Sequence, residues 1–287
     1  MEGSSFFKKA AALTALIPAL SFGFDSNLSP AARTEAAFVS VGSRPESIAY
    51  LEEQAARNNP YAYFYLGVAL ELGRGVHKNH EMALEHYRVV AEKVKEAAFN
   101  AARLHYRAGR TDEALSYFVL AAGGEKVDGN ERAMVMLGRI YESDGNPTNR
   151  NYIAAARWYE AAARRRDPVA VGKMGEFLLY GLGRQINTRD AKIYLERAAD
   201  MWNPESQYLL GEMFSKGMGV PVNKTEAGKW FLVAASHSAD YQKRSKNYLS
   251  GLSPMESGSA QRMAELWISA HAKPSPIDYL GIIDRIR

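Results

Sequence analysis

Leu210-Gly211-Glu212-Met213-Phe214-Ser215-Lys216-Gly217-Met218-Gly219-Val220, followed by Asn223 and by Ala227-Gly228-Lys229-Trp230-Phe231, decides the architecture, because its parts recur at a near-constant interval. Leu66-Gly67, Leu137-Gly138 and Met174-Gly175 repeat the opening pair. Each has a large apolar residue three positions after the glycine, namely Leu70, Tyr141 and Leu178, as Phe214 is here. Ala101-Ala102 fills the remaining place, and the steps from Gly67 to Ala102, Gly138, Gly175 and Gly211 are 35, 36, 37 and 36 residues. A period of that size marks one supersecondary unit used repeatedly, since so small a unit cannot bury its apolar face alone.

A second series follows the first. Ala83 precedes His86-Tyr87, Ala114 precedes Tyr117-Phe118, Ala155 precedes Trp158-Tyr159, Ala191 precedes Tyr194-Leu195 and Ala227 precedes Trp230-Phe231, always by three positions. Each unit is therefore two helices, with small residues letting backbones approach and large ones filling the space between hairpins. The boundaries repeat as well. Asn59-Pro60, Asp167-Pro168 and Asn203-Pro204 supply an N-cap acceptor with proline at the first helical position, and so start the first helices. Asn79, Asn151, Asn187 and Asn223 stand four residues before the alanine of the second series and start the second helices. Between the helices lie Gly73-Arg74-Gly75, Gly181-Leu182-Gly183 and Gly217-Met218-Gly219, where glycine supplies the left-handed turn that ends a helix.

These residues, leucine-glycine, an aromatic or leucine, Gly-x-Gly-Val at 73–76 and 217–220, the cap and the Ala-x-x-aromatic helix, resemble Sel-one-like repeats of the tetratricopeptide-like superfamily. The resemblance covers Asn59 to Ala235. It implies an all-α fold, a right-handed α/α solenoid of stacked helical hairpins. Two units depart from the pattern. The second has 12 residues between Ala102 and Ala114 where its neighbours have 16, closer to an ordinary tetratricopeptide hairpin, and the third has Asp144-Gly145-Asn146-Pro147 in place of Gly-x-Gly.

Outside the repeats, Tyr50-Leu51-Glu52-Glu53-Gln54-Ala55 echoes Tyr194 to Ala199 and predicts an unpaired cap helix over 43–58, with Ser43 and Glu46 as its capping box. Ser253-Pro254 with Glu256 starts another helix running to about His271. The expected layout is an export signal over 1–23, a linker over 24–42, the cap helix over 43–58, five repeats over 59–235, capping helices over 236–272 and a tail over 273–287. The signal rests on Lys8-Lys9, the uncharged stretch Ala10 to Phe24, which Pro18 and its length make a poor membrane span, and the small-x-small site Ser21-Phe22-Gly23. It implies a periplasmic or secreted protein, with an uncleaved membrane anchor or an ordinary amphipathic N-terminal segment as the alternatives.

Composition leaves little room for chemistry. There is no cysteine, which removes disulfides, thiolate metal sites, cysteine nucleophiles and a lipidated cysteine. Formal charge is +4, a mild bias toward acidic partners. His77, His80 and His86 are close in sequence, but two fall in a turn and the third takes an aromatic packing position, so no metal site is expected. Gly-Arg-Gly and Gly-Met-Gly lack the Lys-Ser/Thr of a phosphate loop. Arg164-Arg165-Arg166 ends a second helix, where cations suit the helix dipole. The aromatics mostly hold packing positions, which argues against nucleic acid. No catalytic constellation, cofactor or metal is expected.

If the resemblance holds, first helices line a concave groove, and residues two, five and six places after each Leu-Gly leucine point into it. That gives Arg103, Tyr106 and Arg107; Arg139 and Glu142; Glu176, Leu179 and Tyr180; Glu212 and Lys216. The groove would be basic near its first half and acidic near its second. The expected ligand is a protein segment with an acidic stretch lying on Arg103, Arg107 and Arg139, a membrane-associated protein among the candidates. Export together with the family resemblance implies a bacterial envelope adaptor, either a regulator or an assembly scaffold. An envelope glycan-binding protein or hydrolase, and a cytosolic or host-directed interaction protein, are the alternatives.

Overall fold

The computed structural model describes residues 30–40, 46–124, 128–143 and 151–271, with side chains from residue 33 onward. The expected export signal, the Ser43 half of the first capping box, the Asp144–Pro147 turn and the tail lie outside these residues. Fourteen helices and no strand are present among the described residues. They fall into two compact units. The first holds α1 (Pro30–Ser40), α2 (Glu46–Ala56), α3 (Pro60–Leu72), α4 (His80–Val90), α5 (Lys95–Arg107) and α6 (Thr111–Ala121). The second holds α7 (Glu131–Ser143), α8 (Tyr152–Arg164), α9 (Pro168–Tyr180), α10 (Thr188–Asp200), α11 (Pro204–Lys216), α12 (Lys224–Ala235), α13 (Ala239–Ser250) and α14 (Pro254–Ala270).

Local chemistry starts and stops these helices where the repeat pattern requires. Asn59, Asp167 and Asn203 accept from Tyr61, Ala170 and Ser206 backbone N–H at 3.1, 2.9 and 2.9 Å. Asn79, Asn151, Asn187 and Asn223 do the same for the second helices, at 2.9 to 3.1 Å. Gly73, Gly181 and Gly217 end α3, α9 and α11 at φ near +70°, a conformation that costs a residue with a Cβ. One recurrent feature has no such signal in the sequence. The residue before each first-helix cap, Asn58, Arg166 and Trp202, is itself left-handed, with φ of 61, 65 and 61°.

The leucine-glycine pair proves to be a socket. A Cβ on Gly67, Gly138, Gly175 or Gly211 would stand 2.5 to 2.7 Å from the side chain of Tyr87, Tyr159, Leu195 or Phe231 respectively. The second large residue of each Ala-x-x-aromatic motif therefore sits directly on the helix of its own hairpin. These four residues are buried, and they form the seam of each hairpin.

Both expectations for the N-terminal side change. Residues 24–42 are not simply a linker, because α1 lies within them, and α2 is not unpaired, because α1 packs on α2 and α3. The alanine-rich run favours helix. Thr34, Ala36 and Ala37 are buried, Phe38 stacks on Tyr65 at 5.0 Å, and the Arg74 guanidinium lies 4.9 Å over Phe38. At the other end α14 carries its full capping box, Ser253 with Glu256. Trp267 closes an aromatic cluster there, 5.1 Å from Trp202 and 5.6 Å from Trp230.

Candidate partner-binding surface

In the first unit the row of first helices carries a brace that sequence spacing does not show. Glu71, on α3, is buried, and Tyr87 donates its hydroxyl to one carboxylate oxygen at 3.0 Å while Arg103 of α5 pairs with the other. Burial, with the Glu71 charge beside it, pushes the Tyr87 hydroxyl well up, so it stays a donor. Arg103 is 15% exposed and committed to this pair. It is a structural brace between hairpins, not the free groove cation that the sequence suggests. Next to it on α5, Tyr106 and Arg107 are exposed, and Arg107 has no ion-pair partner among the described residues.

The second unit repeats the device and extends it. Tyr159 donates to Glu142 at 2.7 Å, and Lys173 of the next hairpin reaches the other oxygen at 2.8 Å and Glu176 at 2.9 Å. Burial works against the Lys173 charge, but Glu176 and Glu142 outweigh it and hold the ammonium protonated. Tyr180 donates to Glu212 at 3.1 Å, and Lys216 pairs with the same carboxylate at 2.6 Å. Further along, Arg244 of α13 makes two bonds to Glu205, at 2.7 and 2.9 Å, and its guanidinium lies 3.9 Å over the Tyr208 ring. Tyr241 donates to Glu205 at 3.0 Å. Although burial opposes it, these donors hold the Glu205 carboxyl below the usual range.

Of the predicted residues, the structure thus places Arg103, Glu142, Glu176, Tyr180, Glu212 and Lys216 in pairings that tie neighbouring hairpins or turns together. Leu179, expected to face a ligand, is buried with Leu178 and Leu195. Arg139 is exposed and has no ion-pair partner among the described residues. Tyr180 keeps 41% of its surface exposed despite its bond to Glu212, as does Tyr106 in the first unit. Lys173, Glu205 and Arg244 were missed because their partners lie 31 to 39 residues away, about one full period, and Glu71 was missed although it stands five places after Leu66, as Glu142 does after Leu137. A signal was present in the tyrosines of the seam, since a buried phenol requires an acceptor. His77, His80 and His86 do not converge: the His86 ring bonds the Met82 carbonyl at 2.9 Å and leans on Tyr63.

Comparison with known proteins gives this surface its context. The Sel1 repeat family model matches residues 60–93, 131–167, 168–201 and 204–238, leaving out the shortened hairpin α5–α6. An uncharacterised protein of Neisseria meningitidis serogroup B is 29% identical over 148 residues, 52% of this chain and 31% of that protein. The chitin synthase regulator SKT5 of Saccharomyces cerevisiae is 26% identical over 211 residues, 67% of this chain and 29% of that protein. The chain spans about a third of the length of these curated relatives. Among solved structures, the protective antigen c5321 of uropathogenic Escherichia coli, which displays an SLR fold, superposes with a TM-score of 0.71 at 24% identity, covering 84% of this chain and 54% of that one. A Sel1 repeat protein from Oxalobacter formigenes superposes at 0.66 with 25% identity, covering 80% and 96%. With four matched repeats, socketed hairpins and this shared architecture, the chain belongs to the Sel1 repeat family, whose helical scaffolds are typically non-catalytic and generally work by binding other proteins.

Proposed function

We propose that the chain is a non-enzymatic adaptor of the bacterial cell envelope that holds an acidic segment of a partner protein on its first-helix rows. The observation that carries this reading is the sorting of charge along those rows. Most charged groups there are consumed in pairs between or within hairpins, whereas Arg107 and Arg139 are exposed without an ion-pair partner among the described residues. The first unit offers Tyr106 beside Arg107, and the second offers Tyr180 on the same row type as Arg139. An exposed phenol next to an uncommitted guanidinium is the composition that protein interfaces favour. Likeness to a chitin synthase regulator supports regulation over catalysis. Lys8-Lys9 with the uncharged stretch Ala10 to Phe24 supports export, and with it an envelope partner.

The test starts with a photocrosslinker at Tyr106 and at Tyr180 in the native cell, followed by affinity measurement on the captured partner. Arg107→Glu and Arg139→Glu are expected to weaken binding about tenfold each, with a shallower salt dependence. Arg103 is left intact, because its reversal would break the Glu71 brace. Unchanged affinity in both variants overturns the acidic-segment reading, and saturable binding or turnover of peptidoglycan in place of a protein overturns the adaptor reading. Export predicts that the mature protein starts at Phe24, and a soluble cytosolic form that keeps Met1 contradicts it.

A further inference from the structure

α13 begins as the first helix of a further hairpin but receives no second one. In α3, α9 and α11 the residue eight places after the N-cap is a socket glycine, Gly67, Gly175 or Gly211, and a side chain of the hairpin's own second helix lies over it. Counted in the same way from Ser238, that place in α13 is Lys246. A four-carbon stem and an ammonium stand where the other helices carry a hydrogen atom, so a second helix cannot close there at socket distance. α14 accordingly packs on α12 and not on α13. Its Ala260 lies against Gly228 of α12, and its Trp267 stands 5.6 Å from Trp230.

One stripe of α13 is covered by α12: Tyr248 lies 4.8 Å from Phe231, and Ser245 donates to the Phe231 carbonyl at 3.4 Å. The stripe on which a second helix lies elsewhere is open. Five places after its cap, Tyr208 of α11 meets the seam residue Phe231 at 5.1 Å, and the counterpart of Tyr208 in α13 is Lys243. Lys243, Lys246 and Leu249 line one wall of a groove, and Leu232 and Ala235 of α12 line the other. Lysine stems and aliphatic side chains make the walls, and the two ammonium groups stand at the rim. Among the described residues no carboxylate lines the groove, and neither lysine has an ion-pair partner.

We infer that an acidic amphipathic helix of the partner protein lies in this groove and completes the hairpin that α13 begins. The inference rests on the adaptor reading for its protein ligand, and it adds a second contact place and the chemistry of what sits there. Register argues for a helix, because the open stripe of α13 is the one that holds a second helix in the preceding hairpins. Charge argues for acid. Lys243 and Lys246 stand three residues apart on one helix, so their stems rise from adjacent turns, and two carboxylates three or four residues apart on the partner helix match that spacing. An apolar stripe on the same helix covers Leu232, Ala235 and Leu249. The partner helix thus differs from the chain's own second helices, whose seam residues Tyr87, Tyr159, Leu195 and Phe231 each need a glycine to receive them. Once seated, it shields the end of α12 as a terminal cap does in a repeat array.

The probe is a fluorescein-labelled, stapled peptide helix of about five turns, with leucines along one stripe and a glutamate pair four residues apart beside it. Otherwise identical probes carry glutamine or lysine in place of the pair. Titrated with the full chain and followed by anisotropy, the glutamate probe is expected to bind about tenfold tighter than the glutamine probe. Lys243→Glu with Lys246→Glu should invert the preference in favour of the lysine probe, and Leu249→Asp should weaken all three. Arg157→Glu with Arg189→Glu, on exposed residues of α8 and α10, makes the same change in net charge and should leave the order intact. Circular dichroism checks that each variant keeps its helices. Equal affinity for the glutamate and glutamine probes, or no saturable binding, overturns the proposal. Binding lost in Arg107→Glu with Arg139→Glu but kept in the lysine variant assigns the acid to the first-helix rows, which overturns the groove and leaves the adaptor reading standing. A dimer in sedimentation that the lysine reversals dissolve assigns the groove to a second copy and overturns it as well.

Discussion

Asp167 illustrates how one residue of a repeated cap can differ from its equivalents. Asn59 and Asn203 hold the same position in other hairpins, and all three accept a backbone N–H at the start of a first helix. Burial raises the Asp167 carboxyl above its ordinary range despite the N–H groups of Ala170 and Val169, which act in the opposite direction. A raised folded-state value means the native chain holds that proton more tightly than the unfolded chain. Its favourable contribution is therefore present at low pH and is lost as pH rises through the ordinary carboxylate range and the raised value. Asp167→Asn keeps the acceptor and removes the buried charge. It should stabilise the protein at pH 7 by no more than about 1 kcal/mol, Asn and Asp being equivalent caps otherwise. In urea melts the difference should vanish below the carboxylate range. A variant less stable than the parent at pH 7 would show that the charge helps the cap more than burial penalises it.

At the scale of the helix, the socket under each seam residue governs how a hairpin closes. A methyl group on Gly138 would meet the Tyr159 ring at 2.5 Å, and that ring is buried and tied by its hydroxyl to Glu142. It has nowhere to retreat. Overpacking of this kind costs about 1–3 kcal/mol, against a gain of at most about 1 kcal/mol in helix propensity. Gly138→Ala should therefore lower stability by about 1–2 kcal/mol and weaken the Tyr159 to Glu142 bond, with Tyr159 fluorescence as a second reading. A more stable variant would show that the ring can shift. The glycine recurrence was plain in the sequence, and so was its purpose as a close approach. Which side chain enters each socket was not, because the motif offers two adjacent large residues and only the second one lies over the glycine, while the first, as Trp230 does, packs elsewhere.

Across the whole molecule, stability is a chain of neighbour contacts, and the Glu71 and Glu142 braces are links between consecutive hairpins. Glu71→Gln leaves the Arg103 guanidinium largely buried without its carboxylate, at a cost on the order of 3 kcal/mol. Hydrogen exchange should lose protection about a hundredfold in α3 to α6, while α11 and α12 change by less than about threefold. Equal loss throughout would mean that the array unfolds as one cooperative body. The all-helical repeat, its period, seven side-chain caps and three glycine stops were determined by the sequence alone, since each depends on residues within one turn or one hairpin of each other. So was the family. The pairing of Arg103 with Glu71, of Lys173 with Glu142 and of Arg244 with Glu205 was decided only by the tertiary structure. Those partners meet across stacked hairpins a full period apart, where burial and approach distance, not local spacing, settle whether a charge is a brace or a free contact. The same holds for α1, whose alanines signal a helix but whose burial depends on α2 and α3.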